Sequence, residues 1–248
     1  MEIIQSTQNK KIKERAKLQK KKERDRSNLF LVEGKHLLEE AQKAQVLEEV
    51  FLLENLENPT TVEARYCNQM VLNKLSMQNS DAKMIGVCKK KELPCKNEKV
   101  VLFLDDIQDP GNLGTIFRTA YSFGIDCIYL SKGCSDPYNP KAIQASKGAL
   151  FHLPFKIGNL SNMIQDKQKQ GMTIYATALH HESLPLQACK PQKSYGIVLG
   201  NEGQGIHEDL LSLCNQTLYI EMDQFESLNV AIACSIVIYT LKHKESCI

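Results

Sequence analysis

A chain of 248 residues, 42% of them hydrophobic, is long enough for one large domain or two small ones around an ordinary buried core. Its longest apolar run, Val230 to Leu241, is interrupted by Ser235 and falls well short of the ~20 residues a bilayer span requires, so no membrane-spanning helix is expected. The net charge of +2 hides an asymmetry, because Lys10 to Arg26 carries +7 and the remainder −5.

The opening stretch, Met1 to Lys13, lacks the apolar segment of a secretory signal, so a cytoplasmic location is expected. Ser6 and Asn9 are both suited to cap a helix over Lys10 to Arg24, whose apolar residues are only Ile12, Ala16 and Leu18. Such a narrow stripe on a charged helix fits a solvated face or a polyanion contact, in which lysines and arginines displace counterions from phosphates. Leu29 to Val32 reads as strand, Gly34 to Ala44 as helix, Val50 to Leu53 as strand, Asn68 to Leu75 as helix and Met84 to Cys88 as strand. This small α/β module, residues 1–90, is followed by a charged, proline-containing linker at 91–99.

A second α/β series occupies 100–248. Val100 to Leu104 is continuously apolar, as expected for a strand buried on both faces of a parallel sheet. Helix Leu113 to Phe123, strand Cys127 to Leu130 and a polar loop at Asp136 to Pro140 come next. They are followed by a helix from Lys141, strands Thr173 to Ala176 and Tyr195 to Leu199, a short helix from Glu208, strand Thr217 to Ile220 and the helix Ser227 to Lys242.

Three polar loops each follow a strand and enter a helix, which is how an α/β enzyme surrounds a ligand at the carboxyl ends of its strands. In the first, Pro110 and Gly111 shape the turn, Asn112 is suited to cap, and Gly114 permits close backbone approach. Arg118 is the sole basic residue between Val100 and Lys132. Its guanidinium needs an anionic or carbonyl partner, either a phosphate or an internal carboxylate such as Asp105 or Glu202. The second loop, Gly200 to Gly205, has no Lys-Ser/Thr after its glycines and no G-x-G-x-x-G spacing, which disfavours a nucleoside triphosphate. Its glycines suit either a small-molecule pocket with Glu202 as the polar group or a plain tight turn. In the third, Ser227 is a helix-cap candidate, while the Asn229 amide in the first turn of an apolar helix needs partners, either on neighbouring side chains behind the site or on a cofactor or substrate.

Nine scattered cysteines without a C-x-x-C pair predict reduced thiols, and no metal site is expected. No serine elbow accompanies the six histidines, and His180 and His181 are expected on the surface.

Together these residues closely resemble the TrmH-like (SpoU) branch of the SPOUT RNA methyltransferases. The matching motifs are Asn112-x-Gly114-x-x-x-Arg118, Leu199-Gly200-Asn201-Glu202-Gly203-x-Gly205, and Ile220-x-Met222 leading into Ser227-Leu228-Asn229-Val230-Ala231. Asn139-Pro140-Lys141 and Ser146-Lys147-Gly148-Ala149 are also similar to the family's intervening loop and helix. The front, with Ser6, Asn9, Ile12, Lys13 and Phe30 to Gly34, resembles the L30e-like substrate-binding domain found ahead of many such enzymes. One departure is Glu221, where the family usually has proline; it is expected to loosen the cofactor loop or add a carboxylate to its rim.

The resemblance implies a trefoil-knotted α/β domain, an exception to unknotted topology, behind a smaller α/β domain. It also implies a homodimer and S-adenosylmethionine as cofactor, with Gly200, Gly205, Ile220, Met222, Leu228 and Asn229 as its contacts. The implied reaction is methyl transfer to a ribose 2′-OH of RNA, ribosomal more than transfer RNA. Arg118, Asn112, Glu202 and Asn229 are the implied catalytic set, and Lys20, Lys21, Lys22, Arg24 and Arg118 are the expected RNA contacts. A guanidinium is a poor proton acceptor, so Arg118 is expected to clamp phosphate and stabilise charge on O2′. The proton then leaves to phosphate, Glu202 or water. The rival expectation, resting on Glu221, is an RNA-binding or ribosome-assembly factor that keeps the fold without the chemistry.

Overall fold

The computed structural model describes residues 3–76, 81–178, 183–224 and 227–245. In chain order the first elements are β1 (Ile3–Ile4), α1 (Lys10–Ala16), α2 (Lys21–Ser27), β2 (Leu29–Glu33), α3 (Lys35–Lys43), β3 (Leu47–Leu53), β4 (Ala64–Cys67), α4 (Gln69–Leu75) and β5 (Met84–Lys89). They continue with β6 (Val100–Leu104), α5 (Pro110–Ser122), β7 (Cys127–Ser131), α6 (Pro140–Ser146), β8 (Phe155–Gly158), α7 (Leu160–Lys169) and β9 (Thr173–Thr177). The last are β10 (Leu184–Pro185), β11 (Tyr195–Leu199), α8 (Glu208–Leu211), β12 (Gln216–Tyr219) and α9 (Val230–Glu245). Two compact units result, one of Met1–Lys91 with Asp136–His152, the other of Glu92–Ser135 with Leu153–Ile248.

In the first unit a five-stranded sheet runs β1-β4-β3-β5-β2, with β1, β4 and β3 parallel and β5 antiparallel to both β3 and β2. The basic segment is two helices rather than the single one expected. Asn9 caps α1 by accepting from the Lys11 and Ile12 amides. After a 3-10 turn over Lys17–Gln19, Lys20 is extended and α2 begins. The break lets both Ile12 and Leu18 enter a core with Phe51, Val71, Leu72 and Ile85. It also leaves carbonyls at Leu18 and Gln19, and Arg24 Nη1 donates to both at 3.0 Å.

Arg24 is therefore not the surface phosphate contact that its sequence position suggests. Only 4% of its side chain is exposed, and Nη2 pairs with Asp136 Oδ2 at 2.6 Å. This pair, the Glu40–His152 contact and the bond from Gln144 to the Glu33 carbonyl explain why Asp136–His152 groups with the first unit. The linear boundary leaves that segment with the later series.

The second unit is a seven-stranded sheet ordered β10-β12-β9-β11-β6-β7-β8, with every recorded pairing parallel. Its central strands β6 and β11 are buried throughout, as their unbroken apolar runs predict. From β6 the chain builds outward through β7 to β8, then crosses to β9, and β11 fills the place between β9 and β6. Strand β8 and helix α7 are absent from the sequence expectation. Helix α7 is mostly polar, is capped by Asn159, and buries only Leu160 and Ile164. Helix α9 packs along α5, with Val230, Ala231, Cys234, Val237, Ile238 and Leu241 buried and Ser235 hydroxyl-bonded to Thr119.

One cysteine expectation is corrected: Cys95 and Cys127 are joined in a disulfide. Cys67, Cys88, Cys189 and Cys234 are free and buried, behaving as small core residues.

Removing one partner of a buried ion pair leaves the other uncompensated, at a cost of about 3–5 kcal/mol. Asp136→Ala is expected to lower the stability of the first unit by that order in urea unfolding. A loss below about 1 kcal/mol would mean that the pair behaves as a solvent-screened bridge.

Candidate functional site

The register of β6 and β11 aligns Leu104 with Leu199, and the Asp105 amide extends the ladder by donating to the Leu199 carbonyl at 2.8 Å. The first two polar loops therefore start side by side. At the first, Asp109 rather than Asn112 caps α5, accepting from the Asn112 amide at 2.8 Å, with Pro110 in the first turn, where a missing N–H costs nothing. Asn112 thus lies inside α5 with its side-chain amide available.

The second loop closes into a tight hairpin. The Asn201 amide donates to the Gly205 carbonyl at 2.9 Å, the reverse bond is 3.0 Å, and Asn201 Oδ1 accepts from the Gly203 and Gln204 amides. A Cβ on Gly200 would meet the backbone of Gly205 and Ile206 within 2.3–2.4 Å, and Gly205 has φ +73°. Two glycines are thereby required by the turn itself. Asn201 Nδ2 also donates to the Asp106 carbonyl at 2.9 Å, tying the hairpin to the first loop.

In the third loop Asn229 takes the capping role expected of Ser227. Its Oδ1 accepts from the Ala231 amide at 3.0 Å and the Ile232 amide at 3.4 Å, and α9 starts at Val230. Asn229 Nδ2 donates to Asn112 Oδ1 at 2.9 Å, and Asn112 Nδ2 donates to Glu202 Oε1 at 2.6 Å. One relay thus joins all three loops, and it engages one of the two Glu202 carboxylate oxygens.

The second and third loops line a cavity of about 650 Å³, a size typical of small-molecule sites. Gly200, Glu202, Gly205, Ile220, Met222 and Leu228 all line it, with Ser227, Leu218 and Val230. Met222 and Leu228 are 37% and 39% exposed, apolar surface that a flat ligand would cover. Ile220 and Met222 line the cavity, whereas Glu221 between them is exposed and does not.

Asn112 and Asn229 reach the cavity through Glu202 and do not line it. Arg118 is exposed further along α5 and also lies off the lining. Among the described residues its guanidinium pairs with neither Asp105 nor Glu202.

Asp105 instead holds His207, a residue the sequence reading leaves with the uncommitted histidines. Asp105 Oδ2 accepts from the His207 amide and contacts Nδ1, each at 2.9 Å. The bond to Asp105 raises the His207 pKa above the ordinary 6.5. No linear spacing marks this pair, because strand pairing brings the two together. Lys20, Lys21 and Lys22 are exposed on the first unit, with Lys21 near Asp25 at 3.8 Å. His180 and His181 lie outside the described residues.

Comparison with known proteins gives a consistent result. The SpoU rRNA Methylase family model matches residues 99–239, and a model of the MRM3-like substrate binding domain matches residues 9–86. The 23S rRNA (guanosine(2553)-2′-O)-methyltransferase RlmP of Bacillus subtilis (strain 168) is 34% identical over 248 residues, covering 98% of this chain and 100% of that protein. A crystal structure of an RNA 2′-O ribose methyltransferase matches with a TM-score of 0.86 at 27% identity, over 99% of this chain and 100% of the other. An AdoMet-bound rRNA methyltransferase from Sinorhizobium meliloti matches with a TM-score of 0.86 at 25% identity, over 98% and 97%.

Because a side chain at Gly200 would collide with backbone, Gly200→Ala is expected to cost about 1–3 kcal/mol in the second unit. Urea unfolding monitored by that unit's tyrosines reads the change; an unaltered midpoint would show that the hairpin adapts.

Proposed function

The chain belongs to the SpoU rRNA methylase family, and from that premise we propose that it is an S-adenosylmethionine-dependent RNA 2′-O-ribose methyltransferase acting on a guanosine of 23S-type ribosomal RNA. The observation that carries the reading is the Asn229–Asn112–Glu202 relay at the mouth of the cavity. The cavity suits the cofactor. Its glycine hairpin offers backbone donors and acceptors, its Leu218, Ile220, Met222 and Leu228 side offers an apolar bed for adenine, and Glu202 supplies negative charge for a sulfonium. When bound, the cofactor supplies an electrophilic methyl carbon.

The chain's own residues must then align a ribose hydroxyl and manage its proton. Asn112 holds one Glu202 oxygen, which fixes the carboxylate and leaves the other to accept a hydrogen bond from the 2′-OH. Arg118, exposed on α5 with no carboxylate partner among the described residues, clamps an RNA phosphate and stabilises negative charge on O2′. Asn229 does two things at once, capping α9 and setting the Asn112 amide.

We place the phosphate contacts of the first unit on Lys20, Lys21 and Lys22, leaving Arg24 to its internal pair. The chain is a homodimer in this reading, and a second copy covers the outer faces of α5 and α9, where Tyr121, Ile232 and Tyr239 are 49%, 53% and 52% exposed. The described residues contain no helix long and apolar enough to cross a membrane, and the proposed location is the cytoplasm. The rival, a non-catalytic RNA-binding factor, rests on Glu221, which is exposed and does not line the cavity, while Ile220 and Met222 on either side of it do.

Methyl transfer from labelled cofactor to 23S rRNA, with 2′-O-methyl mapping, tests the assignment; no incorporation at any ribose would overturn it. Arg118→Ala is expected to abolish transfer while leaving cofactor affinity within about twofold, and near-normal turnover would remove Arg118 from the mechanism. Replacing Lys20 and Lys22 with alanine is expected to reduce the slope of log affinity against log salt by roughly 1–2. An unchanged slope would move the RNA surface elsewhere.

A further inference from the structure

The hairpin that carries Gly200 to Gly205 is fastened at both ends to the turn after β6. At its start, the Asn201 side chain holds the Asp106 carbonyl. At its end, the His207 amide and ring both meet one oxygen of Asp105. The residues between the fastenings supply much of one wall of the cofactor cavity. The two ends differ in kind, because Asn201 is neutral whereas the His207 end contains a titratable ring against a carboxylate.

We propose that Asp105 and His207 form a latch that holds the Gly200–Ile206 loop in its cofactor-binding shape, making His207 a positioning residue for the cofactor. The inference rests on the cofactor assignment above. Asp105 is only 3% exposed, so its charge is shielded from water and depends on the donors that reach it. The backbone amide of His207 is one donor and persists in any variant. The ring is the other. Nδ1 faces Asp105, so Nδ1 keeps its proton in the neutral ring, and a second proton on Nε2 adds a full positive charge opposite the carboxylate.

The other charged groups around His207 have been placed by the same geometry. Asp106 follows Asp105, Glu208 and Asp209 open α8, and Lys132 follows β7; Asp106, Asp209 and Lys132 line with His207 a second, polar cavity of about 350 Å³. Three carboxylates close to the ring, Asp105, Asp106 and Asp209, favour its protonated form, and Lys132 is the opposing cation of that cavity. The His207 pKa is raised where the latch is closed, so the charged latch is fully present at low pH. It is lost as pH rises above the ordinary histidine value of 6.5 and through the raised one.

The test uses the full chain. Titration calorimetry with S-adenosylmethionine at pH 6 and pH 8.5 is expected to show affinity falling roughly three- to tenfold across that range in the wild type. His207→Ala, a change at a half-exposed side chain, should give weak and pH-independent binding. His207→Asn keeps a neutral donor and should restore affinity to the wild-type value at pH 8.5 while staying flat. A merely structural role for His207 would lower affinity without removing the pH slope. The same pH slope in His207→Ala as in wild type would overturn the proposal, as would a wild type that is flat.

Amide exchange of the peptide spanning 200–206, without cofactor and corrected for intrinsic rates, gives a second readout. Protection should fall in His207→Ala; equal protection would overturn the latch. Absence of any cofactor binding by the wild type would instead sink the functional reading, and the exchange measurement would still decide the latch.

Discussion

Parallel pairing of β6 with β11 determines where the first two functional loops of the second unit begin. Both strands are buried on both faces, so their alignment cannot be chosen by turning a polar face to water. It is set by packing: Gly196 stands opposite Val101, and a Cβ there would meet the Phe103 ring at 2.6 Å. A bulkier residue would force this pair apart, and the ring that fills the space holds the register instead. From that register follow the ladder bond at Asp105, the Asn201 bond to Asp106 and the Asp105 contact with His207.

Asparagine recurs where the loops meet, for a reason that lies in its two-sided amide. Asn112 accepts from Asn229 with its oxygen and donates to Glu202 with its nitrogen, while Asn201 accepts from two backbone amides and donates to a carbonyl. An aspartate at either place would lose the donor, and at Asn112 it would set a second negative charge against Glu202. A neutral relay joins three loops without adding charge, so the carboxylates at the cavity are those of Glu202 and Glu208 on its own lining.

What the sequence made legible follows burial and motif. The unbroken apolar runs of β6 and β11 identify themselves; the second and third loops line one cavity, and the first is tied to them through Asn112. Helix α7 escapes because two buried side chains are too few to show a period. The caps lie a few residues from the expected positions for a different reason. Asp109 and Asn112 are both capping types, as are Ser227 and Asn229, and the choice depends on which backbone is extended and which side chain a neighbouring loop engages. The His207–Asp105 contact depends on strands distant in sequence, and the Cys95–Cys127 disulfide joins the segment before β6 to the start of β7, so local pattern carries no trace of either.

The basic segment shows how far composition can mislead about a surface. Ten cations between Lys10 and Arg26 suggest a uniform polyanion face, yet the fold sorts them by side-chain chemistry. Arg24 reaches two carbonyls and a carboxylate at once, and Arg15, with Lys11, engages Glu49, uses that suit a planar fork with several fixed donors. Arg26 pairs with Glu23, and Lys21 lies near Asp25. Lys10, Lys13, Lys17, Lys20 and Lys22 remain exposed without an ion pair among the described residues. Counterion release scales with the charges that meet phosphate, so it is these lysines, about half of the nominal total, that set how strongly RNA binding by this segment responds to salt.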